Sequence, residues 1–72
     1  MIILKFLDPD CKLVTQECKN IPEALDYDYK IWASLGENCD FYYGEHKLIL
    51  DTVHWDVIKI TEEIKRQIKL VS

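Results

Sequence analysis

The feature that most constrains this fold is a series of branched aliphatic residues in the last third of the chain. They recur at steps of four, three, four, four and three residues. On a helix this spacing confines them to about 80° of arc, and such an apolar stripe must be buried against another layer of structure. We therefore predict one long helix over residues 53–71, whose buried face consists of Val53, Val57, Ile60, Ile64, Ile68 and Val71.

The first part of this helix has an alternative interpretation. Val53, Trp55 and Val57 alternate as in a strand, and Thr61 followed by two glutamates is typical of a helix start. The residues just before them, however, contain no Gly or Pro for the turn of a further hairpin. The long helix is the preferred prediction, and the sequence leaves open whether residues 53–60 are helix or strand.

The chain begins with the pattern of a β-hairpin. Residues 2–7 alternate in side-chain direction as a first strand, and Asp8-Pro9-Asp10 has the composition of a turn. Residues Cys11 to Cys18 return as a second, more polar strand near an edge. Asn20-Ile21-Pro22-Glu23 then resembles a helix start, for a helix of one or two turns only.

The middle of the chain is predicted to form a three-stranded meander. Complete alternation from Leu25 to Leu35 indicates a strand, followed by a hairpin loop at Gly36-Glu37-Asn38. Strands Cys39–Tyr43 and His46–Leu50 follow, separated by the turn Gly44-Glu45. Both turns assign the same inward face, which comprises Ile31, Ala33, Leu35, Cys39, Phe41, Tyr43, Leu48 and Leu50.

These elements predict an α+β fold in a single domain spanning residues 1–72. The antiparallel sheet consists of a β-hairpin plus a three-stranded meander, and one C-terminal helix packs on one face. A β-grasp arrangement is the alternative, because the chain opens with a hairpin. Little room for a helix between residues 20 and 26 disfavours it.

Composition restricts the class of partner. The net charge is −4, and eleven of the thirteen acids lie in residues 1–56, so binding to a nucleic-acid backbone is not expected. Hydrophobic residues make up 49% of a 72-residue chain, more than one helix and one small sheet can easily bury. We therefore expect a protein partner or a homo-oligomer.

The cysteines and the hydropathy pattern indicate a compartment. Three cysteines in a chain without a recognisable signal peptide predict reduced thiols and a cytoplasmic protein. No apolar run approaches the length of a membrane span, so no membrane association is expected.

No metal, cofactor or catalytic group is predicted. The possible metal ligands lack the close pairs typical of zinc sites, and free thiols explain the cysteines better. Nucleophilic catalysis is not expected, because Cys39 faces inward and not into a cleft, and His46 lies beside a turn. So small a body also offers little room for a pocket. The possible ligands are Cys11, Cys18, Cys39, His46 and His54.

One surface is predicted to bind a partner. In the predicted register Trp32 and Tyr42 are cross-strand neighbours on the outward face of the sheet, and an aromatic pair with an apolar neighbour and a charged rim is typical of an interface hot spot. Should that face be the covered one, the site would be sought among Tyr27, Tyr29 and Tyr43 instead. The predicted site comprises Trp32, Tyr42, Asp28, Asp40, Lys30, Lys47 and Ile49.

The functional hypothesis is a small protein-binding protein without catalytic activity, of an inhibitor, antitoxin-like or counter-defence type, from a phage or mobile element. The alternative is a nucleic-acid-directed protein. Its surface would be either an acidic mimic or the basic end of the last helix. The mimic would consist of three outward acids with two more at the loops: Asp26, Asp28, Asp40, Glu37 and Glu45.

Overall fold

The structure is a computed structural model and describes residues 1–71. The predicted N-terminal hairpin is confirmed: β1 (Ile2–Leu7) pairs antiparallel with β2 (Leu13–Cys18). The turn is held by the Asp8 side chain, whose Oδ1 accepts hydrogen bonds from the backbone N–H groups of Asp10 and Lys12, both at 2.9 Å. β2 thus begins two residues later than expected.

The segment that follows corrects the sequence prediction. Residues Ile21–Leu35 form a helix, α1, and the strand predicted from Leu25 to Leu35 is therefore wrong. The predicted helix start is correct, because Asn20 Oδ1 accepts a hydrogen bond from the Glu23 N–H at 2.9 Å. The helix simply continues for 15 residues instead of one or two turns. The room for a helix that the β-grasp alternative needed is therefore present.

The cause of the error lies at both ends of α1. Glu23 reaches back to the Lys19 N–H at 2.8 Å, which completes a reciprocal cap at the start. Gly36, predicted as part of a hairpin loop, instead ends the helix with φ 73°, and its N–H donates to the Trp32 carbonyl at 2.8 Å. Between these two caps a continuous helix pairs the backbone N–H and C=O groups. The capped helix therefore forms although the side chains alternate as in a strand.

The second half of the sheet agrees with prediction more closely. β3 (Asp40–Tyr43) and β4 (His46–Lys47) are joined by the predicted turn, in the predicted register with Tyr43 opposite His46. β3 also pairs antiparallel with β1, which gives the strand order β2-β1-β3-β4. β4 is shorter than predicted, although the Leu48 N–H still donates to the Phe41 carbonyl at 2.8 Å.

The C-terminal helix is present but begins later than predicted. α2 spans Val57–Val71, and residues 51–56 before it are neither helix nor strand. The Asp56 side chain caps it, accepting from the Ile58 and Lys59 N–H groups at 3.0 and 3.1 Å. Of the predicted stripe, Ile60 and Ile64 are buried and Ile68 is partly buried, whereas Val53, Val57 and Val71 are exposed.

Both helices pack on one face of the sheet, and the predicted α+β class with a helix on an antiparallel sheet is confirmed. Neither helix is long and apolar enough to cross a membrane, so residues 1–71 contain no candidate span. The opposite face, called the open sheet face below, carries Lys5, Asp40, Tyr42 and Lys47. The core comprises Ile2, Leu4, Cys18, Ala24, Leu25, Cys39, Phe41, Leu48, Ile60 and Ile64.

Candidate functional site

A buried carboxylate on α1 is the most unusual feature of the interior. Asp28 is only 1% exposed, on the same side of the helix as the core residues Ala24 and Leu25. Its Oδ1 accepts a hydrogen bond from the Cys39 backbone N–H at 2.6 Å, which ties α1 to the start of β3. Its Oδ2 is buried and has no hydrogen-bond partner among residues 1–71. Such a group is costly to bury and calls for an explanation.

Among residues 1–71, Asp28 takes part in no ion pair. Within the described part of the chain, the basic groups that form ion pairs do so with other acids; Lys30, for example, lies 3.0 Å from Asp26. Burial raises the pKa of Asp28, and hydrogen bonds from the Cys39 backbone and thiol only partly oppose this. Ionisation of Asp28 is therefore less favourable than that of an exposed aspartate.

A cavity of about 260 Å³ adjoins Asp28. Aromatic rings dominate its walls: Trp32 lies one helical turn beyond Asp28, and its ring centroid is 6.2 Å from that of Tyr29. Trp55 lines the cavity from the segment before α2. The complete lining is Asp28, Tyr29, Trp32, Asn38, Thr52, Val53 and Trp55.

Two aspartates shape the segment that closes this cavity. Asp51 Oδ1 accepts hydrogen bonds from the Val53 and His54 N–H groups at 3.0 and 3.2 Å, which folds the chain into a local turn. Asp56 then caps α2. Between these two anchors, Val53 and Trp55 are held beside α1. We call Tyr29, Trp32, Val53 and Trp55 the aromatic surface; Trp32 is 51% exposed on it.

A larger and more open concavity, of about 910 Å³, lies between this segment and α2. Several of its charged groups have partners: His54 Nδ1 lies 3.3 Å from Asp51, and Glu63 bonds to Arg66 and Gln67. The Arg66 guanidinium and the Gln67 amide lower the pKa of Glu63 to about 2. Because these polar groups are satisfied, the concavity gives less indication of a ligand than the cavity beside Asp28.

The structure separates the residues of the predicted binding site. Trp32 lies on α1 and Tyr42 on the open sheet face, so the predicted cross-strand pair is wrong. Asp28, predicted to face outward, is buried, and Lys30 is paired with Asp26 on the surface of α1. Whether each residue contacts a partner stays a prediction.

Three further predicted site residues, Asp40, Tyr42 and Lys47, lie together on the open sheet face. Lys5 Nζ lies 4.3 Å from the Tyr42 ring centroid, and Lys47 lies 3.8 Å from Asp40 on the same face. These contacts satisfy the charges of the open sheet face, as on an ordinary solvated sheet. Ile49 lies beyond this face, where the Gln67 side chain binds its backbone N–H and carbonyl at 2.8 and 2.7 Å.

Sequence reasoning missed three members of the aromatic surface. Tyr29 was considered only as part of a reversed face, and Val53 and Trp55 were placed in the last helix. One signal could have revealed the site. At helical spacing, Asp28 interrupts an apolar stripe that contains Ile21, Leu25, Ile31 and Leu35.

The three cysteines are free thiols in different environments. Cys11 is exposed in the hairpin turn, whereas Cys18 and Cys39 are buried free thiols. In the described residues, no three His, Cys, Asp or Glu side chains come together in a way that could hold a metal. Burial and the neighbouring Asp28 raise the pKa of Cys39 to about 12, so this thiol stays protonated at neutral pH.

No protein-family model, curated protein or solved structure matches this chain. The geometry of the site therefore carries the functional interpretation alone.

The pH dependence of stability tests the environment of Asp28. Between its ordinary value of 3.8 and its raised folded-state pKa, the folded protein binds more protons than the unfolded chain. The contribution of Asp28 to the free energy of unfolding therefore falls as pH rises through that interval. We expect urea melts to show the wild type losing stability relative to Asp28→Asn as pH rises from about 4.

The comparison with Asp28→Asn removes the contributions of other carboxyls. Glu63 and Asp51 have lowered pKa values and act in the opposite direction, because they lose stability as pH falls, but both variants share them. A difference between the two proteins that does not change with pH would show that Asp28 titrates as an exposed carboxyl does.

Proposed function

We propose that this protein is a non-catalytic binding protein that occupies a surface of a protein partner through its aromatic surface. The observation that carries the proposal is the half-exposed Trp32, grouped with Tyr29 and Trp55 around a cavity. Large aromatic rings in a partly desolvated site are typical of interface hot spots. Of the predicted aromatic pair, Trp32 stays in this proposal, and Tyr29 and Trp55 take the place of Tyr42.

Electrostatics indicates which partner would fit. The chain has a net charge of −4, and an uncompensated carboxyl adjoins the cavity. A partner with an apolar patch and a positive charge is therefore complementary.

The specific role remains part of the proposal. A small acidic binding protein suits an inhibitor, antitoxin-like or counter-defence role in the cytoplasm, as in a phage or mobile element. A nucleic-acid-directed role has less support, because two cations of α2 are neutralised: Lys65 lies 4.0 Å from Glu62, and Arg66 is paired with Glu63. Self-association through the same surface is a further outcome that the test below resolves.

Replacing Trp32 tests this proposal. We expect Trp32→Ala to weaken binding to the captured partner by about 2 kcal/mol or more, roughly thirtyfold, while changing the stability of the free protein little. Partner capture from the source cell would be followed by calorimetric titration with purified components. Sedimentation of the protein alone would show whether the partner is a second copy.

Tyr42→Ala is the matched control, since it removes an aromatic ring from the open sheet face. It is expected to leave binding unchanged. If Tyr42→Ala weakens binding and Trp32→Ala does not, the interface lies on the open sheet face and the proposal is wrong. Binding that falls steeply between low and moderate salt would instead indicate a charge-driven, nucleic-acid-type contact.

A further inference from the structure

We infer that the cavity beside Asp28 receives one lysine side chain of the partner, with Asp28 as the counter-charge and the rings of Trp32 and Trp55 as the walls. This inference rests on the proposed function, because the lysine belongs to the protein partner. It adds the chemical identity of the group that is recognised.

The unpartnered carboxylate oxygen is the first observation behind this inference. Asp28 lines the cavity, is 1% exposed, and has no hydrogen-bond partner for Oδ2 among residues 1–71. Because Oδ2 is itself buried, a donor that enters the cavity must displace part of the wall, such as the half-exposed Trp32 ring, to reach it. The hydrogen bond so formed would remove the cost of leaving that oxygen unsatisfied. A cationic donor would do so with a charge-assisted hydrogen bond, which is the stronger kind.

The walls of the cavity also favour a cation. Tyr29, Trp32 and Trp55 present three aromatic rings around a single acid. The faces of such rings attract cations, Trp most strongly, and aromatic cages are a recurrent means of binding ammonium groups. The methylene stem of a lysine can contact the same rings, so both parts of the side chain are accommodated.

The size of the cavity and the hydrogen bond at Oδ1 select lysine over other cations. A volume of about 260 Å³ is smaller than the roughly 300–1,000 Å³ of pockets for drug-sized ligands, and suits one side chain. Arginine binds carboxylates best through both oxygens at once. Here Oδ1 already accepts the Cys39 N–H at 2.6 Å, so Oδ2 is the one oxygen left without a partner, and a single ammonium matches it better than a two-pronged guanidinium.

The test uses capped amino acids and needs no partner. We would titrate Nα-acetyl-lysine methylamide into the full chain and follow backbone amide shifts by NMR, with the arginine and norleucine analogues as comparisons. We expect the lysine probe to bind with a Kd of the order of millimolar, as a single side chain should. The norleucine probe, which keeps the stem without the charge, is expected to bind at least tenfold more weakly.

Asp28→Asn removes the charge with almost no change of shape and is expected to weaken lysine binding at least tenfold. Asp26→Asn is the matched control, because Asp26 lies on the same helix but is exposed and outside the cavity. It is expected to leave lysine binding unchanged. Should Asp28→Asn fail to fold, the comparison of lysine with norleucine on the wild type still decides.

Equal binding of the lysine and norleucine probes would overturn the inference, because the Asp28 carboxylate would then contribute nothing to recognition. Arginine binding as tightly as lysine would overturn the selection of an ammonium. Neither result bears on the Trp32→Ala experiment, because that substitution removes a ring rather than a charge. The inference and the proposed function can therefore fail separately.

Discussion

Ile64→Asp is expected to unfold the protein. Ile64 is 0% exposed and belongs to the core cluster beneath the sheet. A carboxylate there would be buried without a partner, at a cost of several kcal/mol. The total stability of a domain of this size is only about 5–15 kcal/mol. Circular dichroism and a thermal melt should show loss of the folded state at neutral pH.

Lys65→Asp is the matched control for this substitution. Lys65 is the next residue on α2, is exposed, and makes one ion pair, with Glu62 at 4.0 Å. Losing that contact is expected to cost about 1 kcal/mol or less, since exposed ion pairs contribute little. If both substitutions proved equally mild, Ile64 would not be buried and the packing of α2 against the sheet would be wrong.

Phe41→Ala is expected to produce the second largest loss, about 3–5 kcal/mol of unfolding free energy, as for other buried aromatic rings. Phe41 is 2% exposed and is one of the largest side chains of the core. It lies opposite Leu4 in the register between β3 and β1, so the substitution leaves a cavity in the middle of the sheet. A urea melt of each protein measures the difference.

Tyr42→Ala, already the control for binding, serves here too. Tyr42 follows Phe41 on β3 but lies on the open sheet face, under the Lys5 ammonium. Its replacement removes a cation–π contact of about 0.5–1 kcal/mol at an exposed site, together with a half-buried ring. We expect less than half of the loss caused by Phe41→Ala. A larger loss for Tyr42→Ala would mean that the two faces of the sheet are reversed.

Local chemistry was sufficient to predict several elements from the sequence. The Asp8-Pro9-Asp10 turn determines the first hairpin, and the Gly44-Glu45 turn determines the register of β3 against β4. Asn20 and Glu23 determine where α1 begins. Each depends on residues only a few positions apart, so the interactions that determine them are visible in the chain itself.

The extent of α1 was decided by tertiary structure. Between Leu25 and Leu35 the side chains satisfy a period of two and a helical period at once, because half-exposed Tyr29 and Trp32 suit either. Packing adds to the caps at its two ends: as a helix, α1 contacts β1 and places Ala24 and Leu25 in the core. The chain alone does not show that β1 is available as that surface.

The candidate site was decided by the same contacts. Once residues 25–35 form a helix, Asp28 turns inward to the Cys39 N–H, and Trp32 moves from the sheet to a position beside Trp55. Those pairs are separated by 11 and 23 positions in the chain, and no local pattern joins them. The sequence by itself determined the Asp8-Pro9-Asp10 and Gly44-Glu45 turns, the start of α1, and the inward direction of Phe41 and Tyr43 on β3. Only the tertiary structure decided which acid is buried and which aromatic rings surround it, because both depend on which distant segments of the chain pack against each other.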